Sequence, residues 1–137
     1  MPKDDLTLKL LQMAAEVARK AYAPYSLFHV GAALITKEGS FFTGCNVENA
    51  SYGLTICAER NAIFSMVAAG ERAISMLAIV ADGDQHPSPC GACRQVISEF
   101  ADTDCRIVFA SAKNLLDSKS FTIGELLPAS FSFDTNK

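Results

Sequence analysis

Residues 57–110 read CAERNAIFSMVAAGERAISMLAIVADGDQHPSPCGACRQVISEFADTDCRIVFA, and this stretch decides the fold. From about Cys57 to Ala69, apolar residues recur at helical spacing through Ala62, Ile63, Met66 and Val67, and Gly70 supplies a stop. Met76 to Ala81 is a short apolar run, the pattern of a buried strand. Asp82 to Pro89 is polar and proline-bearing and reads as a loop. A further helix begins near Gly91 and carries Val96, Ile97 and Phe100, and Arg106 to Ala110 returns to strand. The alternation of helix and strand predicts a sheet with helices on both faces.

Upstream, Lys37-Glu38-Gly39-Ser40 reads as a hairpin turn between strands at Phe28 to Thr36 and Phe41 to Asn46, and a loop covers Val47 to Ile56. Before the hairpin, Asp4 or Asp5 can cap a first helix with an apolar face at Leu6, Leu10, Met13, Val17 and Ala21. Pro24 is expected to end it. Downstream, a weaker strand lies around Lys119 to Phe121. Thr122-Ile123-Gly124-Glu125 matches a capping box, so a short helix opens there and stops at Pro128.

The 137 residues contain no linker or low-complexity stretch, and a single domain spanning 1–137 is expected. Half the residues are hydrophobic and 20% are charged, a globular composition. The net charge is -3, and among 12 basic residues the only adjacent pair is Arg19-Lys20. Backbone recognition of nucleic acid draws on clustered Lys and Arg, so a small molecule is the expected partner and nucleic acid is not. No apolar stretch approaches the roughly 20 residues that span a bilayer, so no membrane partner is expected. Acidic Asp4 and Asp5 precede any hydrophobic segment, unlike a signal peptide. A cytoplasmic location is expected, where the five cysteines serve as thiols or metal ligands.

Pro89-Cys90-Gly91-Ala92-Cys93 is a C-x-x-C knuckle whose thiols can reach one metal ion. Cys57 stands at the other helix entrance, in Cys57-Ala58-Glu59-Arg60. Residues two apart point nearly opposite ways around a helix, so Cys57 and Glu59 share a site only off the helix end. There the backbone N–H groups favour thiolates. Three protein ligands with an open position is the pattern of catalytic zinc, and a Glu that is not a ligand can shuttle a proton. Thiolates from all three cysteines on a divalent ion leave excess negative charge, which Arg60 and the two helix N-termini can offset.

The competing reading is a closed structural site, with a fourth ligand from Cys45, Cys105 or His86. Glu59 argues against it, because a closed site has no use for that group. Cys45 and Cys105 read as small buried hydrophobes, His86 as an exposed loop residue and His29 as structural or exposed. Phe28 reads as core or as an apolar wall for a base. By themselves Asn46 and Glu48 read as loop polarity.

Six segments together resemble the small homotetrameric cytidine deaminases. They are Ala21-Tyr22-Ala23-Pro24-Tyr25-Ser26, then Phe28 with Val30 to Leu34, and Gly44 to Gly53. Cys57 to Arg60, Ser88 to Gln95, and Glu125 to Pro128 with Phe131 complete them. The resemblance implies a three-layer α/β/α domain around a five-stranded mixed sheet, an α/β fold. It implies one Zn2+ per subunit on Cys57, Cys90 and Cys93, with Glu59 as the catalytic proton shuttle and Arg60 bonded to the thiolates. Phe28, Asn46, Glu48, Ala58 and Phe131 become substrate-binding residues, Asn46 and Glu48 at the ribose and Phe28 on the pyrimidine ring. The implied reaction converts cytidine and 2'-deoxycytidine to the uracil nucleosides and ammonia, in pyrimidine salvage. A homotetramer with shared active sites is implied, Phe131 reaching into an adjoining site. Arg60 and the Phe131 tail match this branch better than the related deaminases of aminoacyl-nucleoside antibiotics.

Overall fold

The computed structural model describes residues 2–133, with side chains from residue 5 onward. Its elements in order are α1 (Pro2–Ala18), β1 (Val30–Thr36), β2 (Phe41–Cys45), a 3-10 turn (Tyr52–Leu54), α2 (Ala58–Ala68) and β3 (Ile74–Ala81). Then come α3 (Gly91–Glu99), β4 (Ala101–Ser111), β5 (Asn114–Thr122) and α4 (Ile123–Leu126). The strands form one five-stranded sheet in the order β2-β1-β3-β4-β5. β3 and β4 are parallel, joined by a crossover through α3, and the other pairings are antiparallel. The mixed sheet is therefore the expected α/β architecture.

Alternation along β1 explains the layers. Ala33 faces α1, where Leu10, Leu11 and Ala14 join Ala78, Val80 and Val108 in one buried cluster. Ala32 and Leu34 face the other way, into a cluster with Ala62, Ile63 and Met66 of α2, Ile97 of α3 and Ile123 of α4. Two glycines permit close approach of helix to strand. A Cβ on Gly31 would lie 2.0 Å from the Ala14 carbonyl oxygen, and one on Gly44 would lie 2.4 Å from the Ala62 nitrogen.

Several boundaries differ from those expected. The first helix stops at Ala18, well before Pro24. Tyr22 is drawn instead into a bridge with Val47, donating its N–H to Asn46 O at 3.0 Å and accepting from Glu48 N at 2.8 Å. The buried face of α1 is Leu10, Leu11, Ala14 and Ala18, rotated by about one position from the expected stripe. Asp5 lies inside α1 rather than before it, and the Asp4 side chain lies outside the described residues. β4 begins at Ala101 and β5 runs from Asn114, both longer than expected. Their added residues are mostly exposed, those of β5 along the sheet edge, so they carry little apolar signal. The capping box at α4 is present in both directions, between Thr122 and Glu125.

Candidate active site

Cys57 and Cys90 occupy the N-cap positions of α2 and α3, both with extended backbone and neither with a side-chain capping bond. An N-cap position usually holds a Ser, Thr, Asp or Asn that accepts from the first turn. Here each presents a thiol to its helix N-terminus, where partial positive charge favours the thiolate. Cys93, one turn into α3, is fully buried beneath them. The crossover from β3 to β4 is what brings the two helix entrances together.

The sulfurs of Cys57 and Cys90 lie 3.9 Å apart, those of Cys90 and Cys93 lie 3.5 Å apart, and all three fall within 4.8 Å of one another. A tetrahedral zinc with Zn–S near 2.3 Å requires sulfurs about 3.8 Å apart. The soft donors and their spacing therefore fit zinc. Among the described residues, no other His, Cys, Asp or Glu joins this cluster. Cys105 is buried on β4 and Cys45 is half-buried at the end of β2. His86 is half-buried rather than exposed, its Nε2 within 2.8 Å of the Asp117 carbonyl. None of the three completes a four-ligand set.

The charges around the cysteines are ordered. Arg60 donates from its NH2 group to the Cys57 sulfur at 3.4 Å. A hydrogen bond from Cys93, assisted by Arg60, holds the Cys57 thiol well below its usual range, although burial opposes this. Cys93 moves upward in turn, as the donor to Cys57 and through burial. Glu59 is 5% exposed. Burial pushes its carboxyl up to about 7, the Cys57 charge adds to this, and Cys93 and Arg60 pull against it. A carboxyl poised near neutrality beside a metal site can both take and return a proton.

Phe28 is half-exposed, and its backbone is fixed on both sides. Its N–H donates to Ser26 Oγ at 3.0 Å and its carbonyl accepts from Asn46 Nδ2 at 2.8 Å. Asn46 is buried, and its Oδ1 accepts from Val30 N at 2.9 Å. Glu48 accepts the N–H groups of Tyr25 at 3.0 Å and Ser26 at 3.2 Å, together with the Ser26 hydroxyl. The Ser26 hydroxyl, more than any other group, holds the Glu48 carboxyl below its ordinary value. Ala58 is buried in the first turn of α2. Phe131 stays exposed, its carbonyl bonded to Gln95 Nε2 at 3.1 Å and its ring against Phe133.

Two groups escaped the sequence reading. Ser26 organises both Phe28 and Glu48, and nothing in its local sequence marks that. Arg94 holds the metal knuckle, donating to Pro89 O at 2.8 Å, Leu126 O at 2.8 Å and Ser88 Oγ at 2.9 Å. Its place immediately after Cys93 was the only available signal.

The family described as the cytidine and deoxycytidylate deaminase zinc-binding region matches residues 5–110. Cytidine deaminase of Sporosarcina psychrophila is 44% identical over 124 residues, covering 90% of each chain. The crystal structure of cytidine deaminase from Burkholderia pseudomallei superimposes with a TM-score of 0.84 at 46% identity, over 90% of this chain and 97% of that one. A more distant relative, the blasticidin-S deaminase of Bacillus cereus, is 31% identical over 137 residues, covering 91% of each. With its thiol cluster at two helix entrances and these likenesses over most of its length, the chain belongs to the cytidine and deoxycytidylate deaminase family.

Proposed function

We propose that this single-domain chain hydrolyses cytidine and 2'-deoxycytidine to the corresponding uracil nucleosides and ammonia, as a step of pyrimidine salvage. The observation that carries the reading is Glu59, buried beside three clustered thiols that no fourth His, Cys, Asp or Glu among the described residues joins. Cys57, Cys90 and Cys93 would hold zinc, which supplies Lewis acidity toward water at its open position. Glu59 accepts the proton that this water gives up. It passes that proton to N3 of the ring, then takes the second proton from the hydroxyl added at C4 and hands it to the amine, so that the C4–N bond breaks, the C4 carbonyl forms and ammonia leaves. Arg60 offsets the excess negative charge through Cys57.

Substrate recognition follows the same frame. Phe28 offers an apolar face to the pyrimidine, and Ala58 lies at the helix entrance beside Glu59. Asn46 and Glu48 would bind the sugar hydroxyls, and the backbone bonds that already orient each side chain support this reading. Preoriented polar groups lose little freedom on binding.

Around them, Tyr25 at 49%, Leu27 at 71%, Tyr52 at 77% and Leu54 at 64% exposure stand in the loops of a single chain. Apolar exposure on that scale supports burial against further copies, and we propose a homotetramer in which Phe131 enters a neighbouring site. Cysteines that are all free thiols support a reducing, cytoplasmic setting. No described helix is long and apolar enough to cross a membrane.

The test is ammonia release from cytidine and 2'-deoxycytidine by the zinc-replete protein, with Glu59→Ala in parallel. Turnover is expected to fall by at least about 10²–10⁴-fold in the variant while zinc is retained. Near-normal turnover without Glu59 sinks the proton role. No release from either nucleoside, with zinc bound and the fold intact, would move the substrate to an antibiotic of the blasticidin class.

A further inference from the structure

Beyond the last residue pair of β1 and β3, Val30 with Ala81, the next two residues are locked together. Asp82 N donates to His29 O at 3.1 Å. The Asp82 carboxylate accepts His29 N at 3.2 Å and His29 Nδ1 at 2.7 Å. Together these bonds make the pair a clasp between the strand entering at Phe28 and the loop leaving β3.

The loop it clasps runs beside Phe28. A Cβ built on Gly83 would lie 3.4 Å from Phe28 Cε1, so Gly83 flanks that edge of the ring with room between them for little more than a methyl group. The far side of this loop is pinned as well. Ser111 Oγ donates to Gly83 O at 2.5 Å and accepts from Lys113 N at 3.1 Å, and Lys113 pairs with Asp84. Asn46 and Ser26 hold the Phe28 backbone, and Gly83 flanks the Cε1 edge of its ring. The direction of an aromatic wall therefore depends on where residues 82–84 sit.

We propose that His29 and Asp82 are positioning residues for substrate, acting through Gly83 to set the Phe28 ring against the pyrimidine. The inference rests on the nucleoside deaminase reading above. The ring wall meets the base equally before and during reaction, so its misplacement weakens uniform binding and leaves the proton chemistry intact. His29→Phe keeps a ring and removes the donor to the carboxylate. His29→Asn restores an N–H at the place of Nδ1.

The experiment is steady-state deamination of cytidine by the zinc-loaded wild type and these variants, with melting temperature as a check on folding. For His29→Phe, KM is expected to rise about tenfold, equivalent to about 1.4 kcal/mol, with kcat within about twofold. For His29→Asn, most of the wild-type KM should return. A folded His29→Phe with unchanged KM overturns the proposal, as does a loss confined to kcat or an Asn variant no better than Phe. If His29→Phe does not fold, Ser111→Ala decides, because it frees the other side of Gly83. The same rise in KM is expected there, and an unchanged KM overturns the clasp. A wild type that deaminates no cytidine sinks the functional reading and this inference with it. An active wild type with an indifferent His29→Phe sinks the inference only.

Discussion

Arg60 is a charged residue whose partner is a sulfur, and that partner decides what it does. Its bond to Cys57 raises its own pKa still further and helps keep the thiol ionised. Arg60→Gln is expected to lower zinc affinity or turnover about 10–100-fold, the usual cost of losing a group that supports a metal ligand. Metal titration and steady-state assay check this, and wild-type values in both would remove Arg60 from the site. Glu48 gives a pH-dependent prediction. Its folded pKa lies below the ordinary 4.5, so its contribution to stability is present above that value and lost as pH falls through the depressed one. Wild type should melt above Glu48→Gln at neutral pH, and the gap should close under acid. A gap that persists unchanged at acid pH would show that the Tyr25–Ser26 cradle does not depend on the charge. At this scale the cysteine cluster was legible, because two cysteine motifs and a neighbouring glutamate have few other uses together. The roles of Ser26 and Asp82 were not, because each acts through partners 22 and 53 residues away in sequence.

An element carries the site only as well as it is seated. α2 bears Cys57 at its cap and Glu59 in its first turn, and it lies directly on β2 at Gly44. A methyl group there meets the Ala62 nitrogen at 2.4 Å and the Ala58 oxygen at 2.7 Å, both backbone atoms of the helix. Gly44→Ala is therefore expected to displace α2, cost about 1–3 kcal/mol of stability as overpacking does, and weaken metal binding with it. Urea unfolding and metal analysis measure the two effects. Wild-type stability and full zinc occupancy would show that the helix can shift without cost. Helices α2 and α3 were readable from periodicity, since each buries one face, and β3 between them from its apolar run, since both its faces are buried. The stop of α1 was not, because the Tyr22–Val47 bridge that turns the chain is a long-range pairing. β5 was barely visible for the opposite reason: an exposed edge strand needs no apolar pattern.

In the whole molecule, the sheet order brings two helix entrances from distant parts of the chain to one point, while Phe131 remains exposed on a single chain. If Phe131 serves a neighbouring site, mixing inactive Glu59→Ala with impaired Phe131→Ala should regenerate activity in mixed oligomers. Sedimentation should report about four times the 14.7 kDa chain. A monomer, or no regain on mixing, would confine the site to one chain. The sequence by itself determined the layered α/β architecture, the three cysteines that the fold brings together and the family. Hydrophobic period, helix signals and ligand chemistry are written in local order along the chain. Only the tertiary structure decided how those groups are held. The spacing of the sulfurs, the burial that lifts Glu59 toward neutrality, and the His29–Asp82 clasp all arise between segments remote in sequence. Burial and through-space charge are properties of neighbours, and neighbours exist only once the chain has folded.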